Sequence, residues 1–225
     1  MKSLLLRPFF RHIARQRFFY LLVAILIFII GNPFIKDPLP LRFHFLTDLF
    51  ITIIFITATH ALSEKKRQLT ISILLAIPLL ILVWSKYVID NFYIDILGYI
   101  FAALFLGYIV ICLADFIFEQ KEVTKEVIAA ALIIFLLVAL VWTFVYAVLD
   151  AVYPGSFSFG TKPGSDIYHF VYFSFVTLTT LGYGDIVPLT ERARALVIME
   201  AVVGQIYLVV GVAWLVGMHV SRRSR

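Results

Sequence analysis

The chain has 225 residues, of which 62% are hydrophobic and 15% are charged, and its mean hydropathy is +1.00. A soluble domain of this length has no core that could bury so much apolar surface, so the composition indicates an integral membrane protein. The single cysteine, Cys112, excludes an intrachain disulfide framework. The net charge of +5 comes from basic residues beside apolar runs, which favours membrane topology over nucleic-acid binding as its cause.

The N-terminal residues 1–17 are basic and precede an uncharged run that has no small-residue cleavage site. This pattern predicts an uncleaved first span rather than a signal peptide. Arg7, Arg11 and Arg15 lie at four-residue spacing, as in a short interfacial helix that contacts anionic lipid headgroups. A plain positive-inside anchor explains the same residues, and both alternatives stay open.

Six apolar runs are predicted to span the membrane. They cover approximately residues 18–30, 43–62, 69–84, 96–114, 128–149 and 195–220. Gly31-Asn32-Pro33 is expected to end the first helix, and Pro78 is expected to kink the third. The charged segment from Asp115 to Glu126 predicts a cytoplasmic linker helix that lies along the membrane.

An even number of spans places both termini on the same side, and the basic residues indicate which side. With the termini we place Lys2, Arg7, Arg11, Arg15, Arg17, Lys65, Lys66, Arg67, Lys121, Lys125, Arg222, Arg223 and Arg225. On the other side we place Lys36, Arg42, Lys86, Lys162, Arg192 and Arg194. This bias predicts cytoplasmic termini and puts the loop between the fifth and sixth spans outside.

The loop between the last two spans contains Thr180-Leu181-Gly182-Tyr183-Gly184-Asp185, here called the signature loop. It resembles the selectivity filter of the potassium channel family. Ile167 to Thr179 precede it and are apolar or aromatic, with Ser165 or Asp166 as a natural N-cap. A helix of about 13 residues is roughly 20 Å long, too short to cross a bilayer. The sequence therefore predicts a re-entrant pore helix before the signature loop.

The resemblance implies that backbone carbonyls replace the hydration shell of K+. The ligands would be the carbonyls of Thr180, Leu181, Gly182 and Tyr183, with the Thr180 hydroxyl, and Gly184 would complete the filter. There is also a physical reason for glycine at positions 182 and 184. Consecutive carbonyls can point one way only if alternate residues take backbone conformations that are closed to residues with a Cβ.

The resemblance also assigns roles around the signature loop. Asp185 is expected at the outer mouth, where a ring of carboxylates attracts cations. Tyr172 and Phe173 are candidates to pack against Tyr183 as filter support. Val176 stands where some relatives have a carboxylate that pairs with the aspartate after the filter. Asp185 therefore needs another partner, and Tyr172 is a candidate donor.

The last span carries further candidate residues. Gly204 is a candidate hinge, with close helix packing through a small residue as the alternative. Below it, four apolar residues recur at four-residue spacing: Leu208, Val212, Val216 and Val220. They form either a hydrophobic gate that closes by dewetting or a stripe that packs against the outer helix. Glu200 is an intramembrane carboxylate and thus a functional candidate, although a structural hydrogen bond between the inner and pore helices is favoured.

The first four spans lack the charges of a voltage sensor. The fourth, Ile96 to Ala114, contains no Lys or Arg. Moving one charge across the membrane is worth about 2.3 kcal/mol per 100 mV, so steep voltage dependence needs such charges. We expect a degenerate sensor-like bundle or a scaffold.

These features predict an all-α membrane protein with six transmembrane helices, a re-entrant pore helix and a selectivity-filter loop. The expected domains are a basic cytoplasmic N-terminus (1–17), a four-helix sensor-like bundle without sensor charges (18–114), a cytoplasmic linker helix (115–127), a pore domain (128–220) and a short basic tail (221–225).

One filter loop cannot enclose an ion, so one loop per chain predicts a homotetramer. The expected function is passive K+ conduction across the cell (plasma or inner) membrane, not voltage-gated in the ordinary sense. K+ is the permeant ion, and no cofactor, nucleic-acid partner or enzyme activity is expected, since no Walker loop, zinc-ligand cluster or nucleophile elbow is present. A weakly selective cation channel, a potassium-uptake transporter subunit and a non-conducting or modulatory subunit stay open as alternatives.

Overall fold

The computed structural model describes residues 17–36, 43–85, 87–89, 91–160 and 167–223 of the chain. The helices of this part are α1 Arg17–Lys36, α2 Phe43–Ala61, α3 Lys66–Ser85, α4 Phe92–Glu119, α5 Lys125–Val152, α6 Ile167–Leu178 and α7 Glu191–Arg223. Two short strands, β1 Phe157–Ser158 and β2 Val187–Pro188, pair antiparallel with Phe157 opposite Pro188. The expected N-terminal segment 1–16 lies outside the described residues.

Four described helices are long and apolar enough to cross a membrane. These segments are Lys66–Ser85, Phe92–Glu119, Lys125–Val152 and Glu191–Trp214. The described apolar segments Arg17–Gly31 and Asp48–Ala61 are shorter. The all-helical fold with four candidate membrane-spanning helices is thus confirmed, and the first two spans stay predictions.

The predicted end of the first helix is wrong. α1 continues through Gly31-Asn32-Pro33 and ends at Lys36. A proline inside a helix removes only one backbone hydrogen bond, and membrane helices tolerate that loss. The apolar sequence resumes at Phe34 and Ile35, so the turn preference of the three residues does not stop the helix.

The predicted linker helix over 115–127 is also wrong. Asp115–Glu119 form the last turns of α4, and Gln120 ends that helix with an extended backbone. Thr124 then starts α5, because its hydroxyl accepts the N–H of Val127 at 3.3 Å. The charged residues extend the two spans, and only a short non-helical connection separates them, because Asp, Glu and Lys are acceptable helix residues near helix ends.

The chain divides into two compact units, 1–76 and 77–225. In the first unit α1 packs along α2, and the Ser72 hydroxyl on α3 donates to Thr59 Oγ1 on α2 at 3.0 Å. The buried Arg17 guanidinium forms an ion pair with Glu64 Oε2 at 2.8 Å, which ties the start of α1 to the turn after α2.

The second unit contains α4 to α7. α4 packs along α5, and α6 packs against both α5 and α7. This division differs from the expected boundary at residue 114. α4 joins the later helices because one of its faces is buried, including Phe105, Leu106 and Ile109, and a buried apolar face needs a packing partner.

An aromatic cluster sits where α5, α6 and the two strands meet. Tyr146, Phe157, Phe170 and Phe173 are buried there. Phe157 contacts Tyr146, Phe170 and Phe173 at ring-centroid distances of 5.3, 5.5 and 5.5 Å, with edge-on planes. Such arrangements are favourable for ring quadrupoles. The cluster fixes α6 against α5 and so positions the signature loop, which follows α6.

Candidate functional site

A helix, α6, is present where the pore helix was predicted and runs from Ile167 to Leu178. Twelve residues make a helix of about 18 Å, shorter than the hydrocarbon core of a bilayer. One of its faces is buried, including Phe170, Phe173 and Ser174. Its expected N-cap, Ser165 or Asp166, lies outside the described residues, and its re-entrant placement stays a prediction.

The signature loop is joined to the end of α6 by backbone hydrogen bonds. The carbonyl of Val176 accepts the N–H groups of Leu181 at 2.9 Å and Gly182 at 3.3 Å. The N–H of Thr180 donates to the carbonyl of Thr177 at 2.9 Å. The last carbonyls of a helix have no partner within the helix. Here the loop itself supplies the partners, so the helix end fixes where the loop begins.

The sign of φ alternates along the signature loop. Thr180, Gly182 and Gly184 have φ of 59°, 55° and 78°, while Leu181 and Tyr183 between them do not have positive φ. Alternating left-handed and ordinary conformations let successive carbonyls face the same direction. The positive φ at both glycines confirms the prediction that these positions favour glycine. The positive φ of Thr180 was not predicted, because a β-branched residue disfavours that region.

The signature loop is exposed within a single chain. The side chain of Tyr183 is 67% exposed, and that of Leu181 is 54% exposed. Aromatic and aliphatic groups of this size are usually covered in the functional assembly of a protein. The exposed side chains of the loop are available to further protein or lipid.

Asp185 at the end of the loop accepts a hydrogen bond from the Tyr172 hydroxyl of α6. This contact is the one expected from the sequence. The ring of Phe173 contacts the rings of Tyr146 and Phe157, at centroid distances of 5.4 and 5.5 Å. Phe173 therefore supports α6 from behind, and its packing against Tyr183 stays a prediction.

Glu200 lies on α7 and is fully buried. The Tyr146 hydroxyl on α5 donates to Glu200 Oε2 at 2.5 Å, and the Ser174 hydroxyl on α6 forms a hydrogen bond with Oε1. Ser174 Oγ also lies 2.7 Å from the Ala139 carbonyl oxygen on α5. We call Tyr146, Glu200, Ser174 and Ala139 the carboxyl network. It confirms the interpretation of Glu200 as a hydrogen-bonding residue between α6 and α7.

The sequence did not reveal Tyr146 as a member of the carboxyl network. Tyr146 precedes Glu200 by 54 residues, and it lies within a long apolar run. A tyrosine in such a run is as well explained by packing as by a hydrogen bond. The available signal was that an intramembrane carboxylate requires donors, and Tyr146 is among the few hydroxyl-bearing residues of α5.

Gly204 is buried against the end of α6. A Cβ built on Gly204 would lie 2.8 Å from Leu178 Cδ1 and 2.9 Å from the Leu178 carbonyl oxygen. Only glycine permits this approach of two helices. The packing alternative therefore has direct support, α7 is a continuous helix through this position, and the hinge stays a prediction.

The predicted gate stripe is exposed where the structure describes its side chains. Leu208, Val212 and Val216 are all exposed, and the side chain of Val220 lies outside the described residues. α7 contacts α5 through another residue, Tyr207, whose hydroxyl donates to the Ala131 carbonyl at 2.5 Å. The exposed parts of these side chains are available to water, lipid or a second chain, and both the gate and the packing alternative stay predictions.

Residues 127–219 match the family model described as an ion channel. Searches among curated proteins and among solved structures gave no match. The matched segment includes the whole of α6, the signature loop and most of α5 and α7, with Glu200 and Gly204 on α7. This match to an ion channel family covers the segment that carries the signature loop.

Proposed function

We propose that this protein is a potassium-selective channel that conducts K+ passively through a fourfold filter of backbone carbonyls. The match of residues 127–219 to an ion channel family supports passive ion conduction. The single observation that supports the filter is the alternation of φ at Thr180, Gly182 and Gly184 directly after the short helix α6. An ion that sheds its water needs closely spaced oxygen ligands in its place, and aligned carbonyls provide them.

The proposed assembly is a homotetramer in the cell membrane. One signature loop presents carbonyls from one side only, so four loops around an axis are needed to surround the ion. The exposure of Leu181 and Tyr183 supports this arrangement, because neighbouring chains would cover them. The apolar residues exposed along α7, such as Ile198, Val202 and Val209, are available to the same neighbours or to lipid.

Charges near the signature loop favour cations. Four copies of the exposed Asp185 would form a ring of carboxylates at the outer mouth, which raises the local cation concentration. The C-terminal end of α6 carries the negative pole of the helix dipole, and it lies beside the start of the loop. Both features attract K+ and Na+ alike, so selectivity in this proposal resides in the carbonyl ligands.

The proposed topology has six spans with both termini in the cytoplasm. The basic N-terminal residues would contact anionic lipids or act as a positive-inside anchor. α4 contains no Lys or Arg, so it cannot act as an ordinary voltage sensor. In the proposed mechanism, Leu208, Val212, Val216 and Val220 line the pore below Gly204 and close it by dewetting.

The decisive experiment is ion flux from vesicles that contain the purified protein and a K+ gradient. We expect K+ flux that Na+ cannot replace and that Ba2+ blocks, with protein-free vesicles as the control. Equal Na+ and K+ flux would identify a weakly selective cation channel. Absence of flux at every pH and voltage tested would favour a non-conducting or modulatory subunit, and flux that requires a coupled ion gradient would favour a transporter subunit.

A further inference from the structure

The carboxyl network contains three consecutive oxygen–oxygen contacts. They join the Tyr146 hydroxyl to Glu200 Oε2 at 2.5 Å, Glu200 Oε1 to Ser174 Oγ, and Ser174 Oγ to the Ala139 carbonyl oxygen at 2.7 Å. Tyr146, Ser174 and Glu200 are all fully buried. Each contact within such a buried series needs one hydrogen, because two oxygens at this separation without a hydrogen repel each other.

Counting hydrogens distinguishes the two states of Glu200. Tyr146 and Ser174 supply one hydrogen each, and the Ala139 carbonyl supplies none. An ionised Glu200 therefore leaves three contacts with two hydrogens. A neutral Glu200 adds the third: Tyr146 donates to Oε2, the carboxylic acid donates from Oε1 to Ser174, and Ser174 donates to the Ala139 carbonyl. Every contact then has one hydrogen.

Neighbouring groups do not change this count. The Thr143 hydroxyl also donates to the Ala139 carbonyl, at 2.9 Å, but its hydrogen does not lie between Ser174 and Ala139. Across the residues that the structure describes, no Lys or Arg forms an ion pair with Glu200. The titratable group in contact with Glu200 is the Tyr146 hydroxyl, which donates to it. A buried carboxylate without a cation is costly, and such a group commonly takes up a proton.

The network also sets the height of α6 relative to α7. Glu200 meets Ser174, and one helical turn further Gly204 meets Leu178, the last residue of α6. The two contacts are four residues apart on both helices, so they fix the same faces in register. The signature loop starts directly after Leu178. A shift of the Glu200 contact would therefore move the start of the loop.

We propose that Glu200 is a neutral carboxylic acid that donates a hydrogen bond to Ser174 and thereby positions α6 and the signature loop. It is a positioning residue, since it touches the helix that carries the loop and not the ion. Its protonation state is independent of what the protein conducts, whereas the positioning role rests on the proposed function. Glutamine reproduces the same pattern, because its oxygen can accept from Tyr146 and its amide can donate to Ser174.

The test combines infrared difference spectroscopy with assembly and flux of the full chain in lipid. The wild type should show the carbonyl stretch of a protonated carboxylic acid that is missing from Glu200→Gln. In Tyr146→Phe this band should shift to higher wavenumber, because the carboxyl C=O loses its donor. Glu200→Gln should keep the wild-type oligomer and K+ preference, while Glu200→Ala should lose thermal stability and K+ preference together.

Several outcomes would overturn the proposal. A wild-type spectrum without a band that depends on Glu200 means that the carboxyl group is ionised. A Glu200→Gln protein that fails to assemble, or that behaves like Glu200→Ala, means that a neutral amide cannot replace the group. In a further outcome, the wild type shows the Glu200-dependent band and the variants the expected stability differences, while the wild type shows no ion flux. That result would support the neutral acid and contradict the proposed conduction.

Discussion

The signature loop and the carboxyl network hold their geometry by different means. The loop is exposed and is fixed by backbone hydrogen bonds to Val176 and by alternating φ. The carboxyl network is buried and is fixed by side chains from three helices. The comparison shows that the conformation of the loop is encoded locally, within a few residues. Its position depends on distant residues that hold α6 in place.

The largest effect should follow from a Cβ in the signature loop. Gly182→Ala should abolish K+ flux, because a left-handed residue with a side chain costs about 1–2 kcal/mol and a fourfold filter repeats that cost in every chain. No atom lies within 4 Å of the added Cβ, so the cause is backbone strain and not a clash. Vesicle K+ flux measures the effect.

Gly107→Ala is the matched control for this substitution. Gly107 also has open space around an added Cβ, but it lies within α4, where alanine is a better helix former than glycine. The control should conduct like the wild type. Normal K+ flux through Gly182→Ala would contradict the role of the loop backbone.

The next largest effect should come from the contact between Gly204 and Leu178, which lies between the carboxyl network and the signature loop. Gly204→Ala places a Cβ less than 3 Å from the Leu178 side chain and carbonyl oxygen. Overpacking of this kind typically costs about 1–3 kcal/mol, so the thermal stability of the protein in detergent should fall. Because Leu178 precedes the signature loop, the K+ preference should fall too.

Gly211→Ala provides the comparison for Gly204→Ala on the same helix. An added Cβ at Gly211 meets no atom within 4 Å, so stability should stay the same or rise by up to about 1 kcal/mol from helix propensity. If both variants behave alike, α7 responds to glycine loss in general, and the close approach to Leu178 is not what matters.

Most of the local features were predictable from the sequence. The short length of α6 and the glycine conformations at 182 and 184 follow from a contiguous motif, and the Tyr172–Asp185 contact follows from the absence of a carboxylate at Val176. Four candidate spans follow from apolar runs. In each case, the deciding interactions are close in sequence.

The features that the sequence analysis predicted wrongly or missed depend on competing signals or on contacts between residues far apart in sequence. α1 passes through Gly31-Asn32-Pro33, and α4 extends through Asp115–Glu119, because weak local stop signals compete with helix continuation. Tyr146 was missed as a partner of Glu200 because only the packing of α5 against α7 brings them together.

A smaller effect should follow from the hydrogen bond between Tyr172 and Asp185. Tyr172→Phe removes the donor to Asp185. An exposed hydrogen bond is worth about 0.5–1.5 kcal/mol, which corresponds to a roughly two- to tenfold change in an equilibrium. Sustained K+ flux should therefore fall within that range, while K+ preference is retained. Tyr93→Phe, on the exposed surface of α4, should leave flux unchanged.

The smallest effect should come from Thr143, which donates to the Ala139 carbonyl but lies outside the series of contacts from Tyr146 to Ala139. Thr143→Val removes a donor whose acceptor, the Ala139 carbonyl, keeps its contact with Ser174. Side-chain hydrogen bonds in membrane proteins average only about 0.6 kcal/mol, so the midpoint of thermal unfolding should change little.

Ser174→Ala differs because Ser174 lies in the middle of the series. Its loss leaves the Glu200 acid without an acceptor in a fully buried site, at a cost of about 1–3 kcal/mol. The two variants remove one hydroxyl each, so their difference isolates position in the network from hydroxyl loss as such. Equal destabilisation would mean that the hydroxyls act independently and that no continuous series of hydrogens connects α5, α6 and α7.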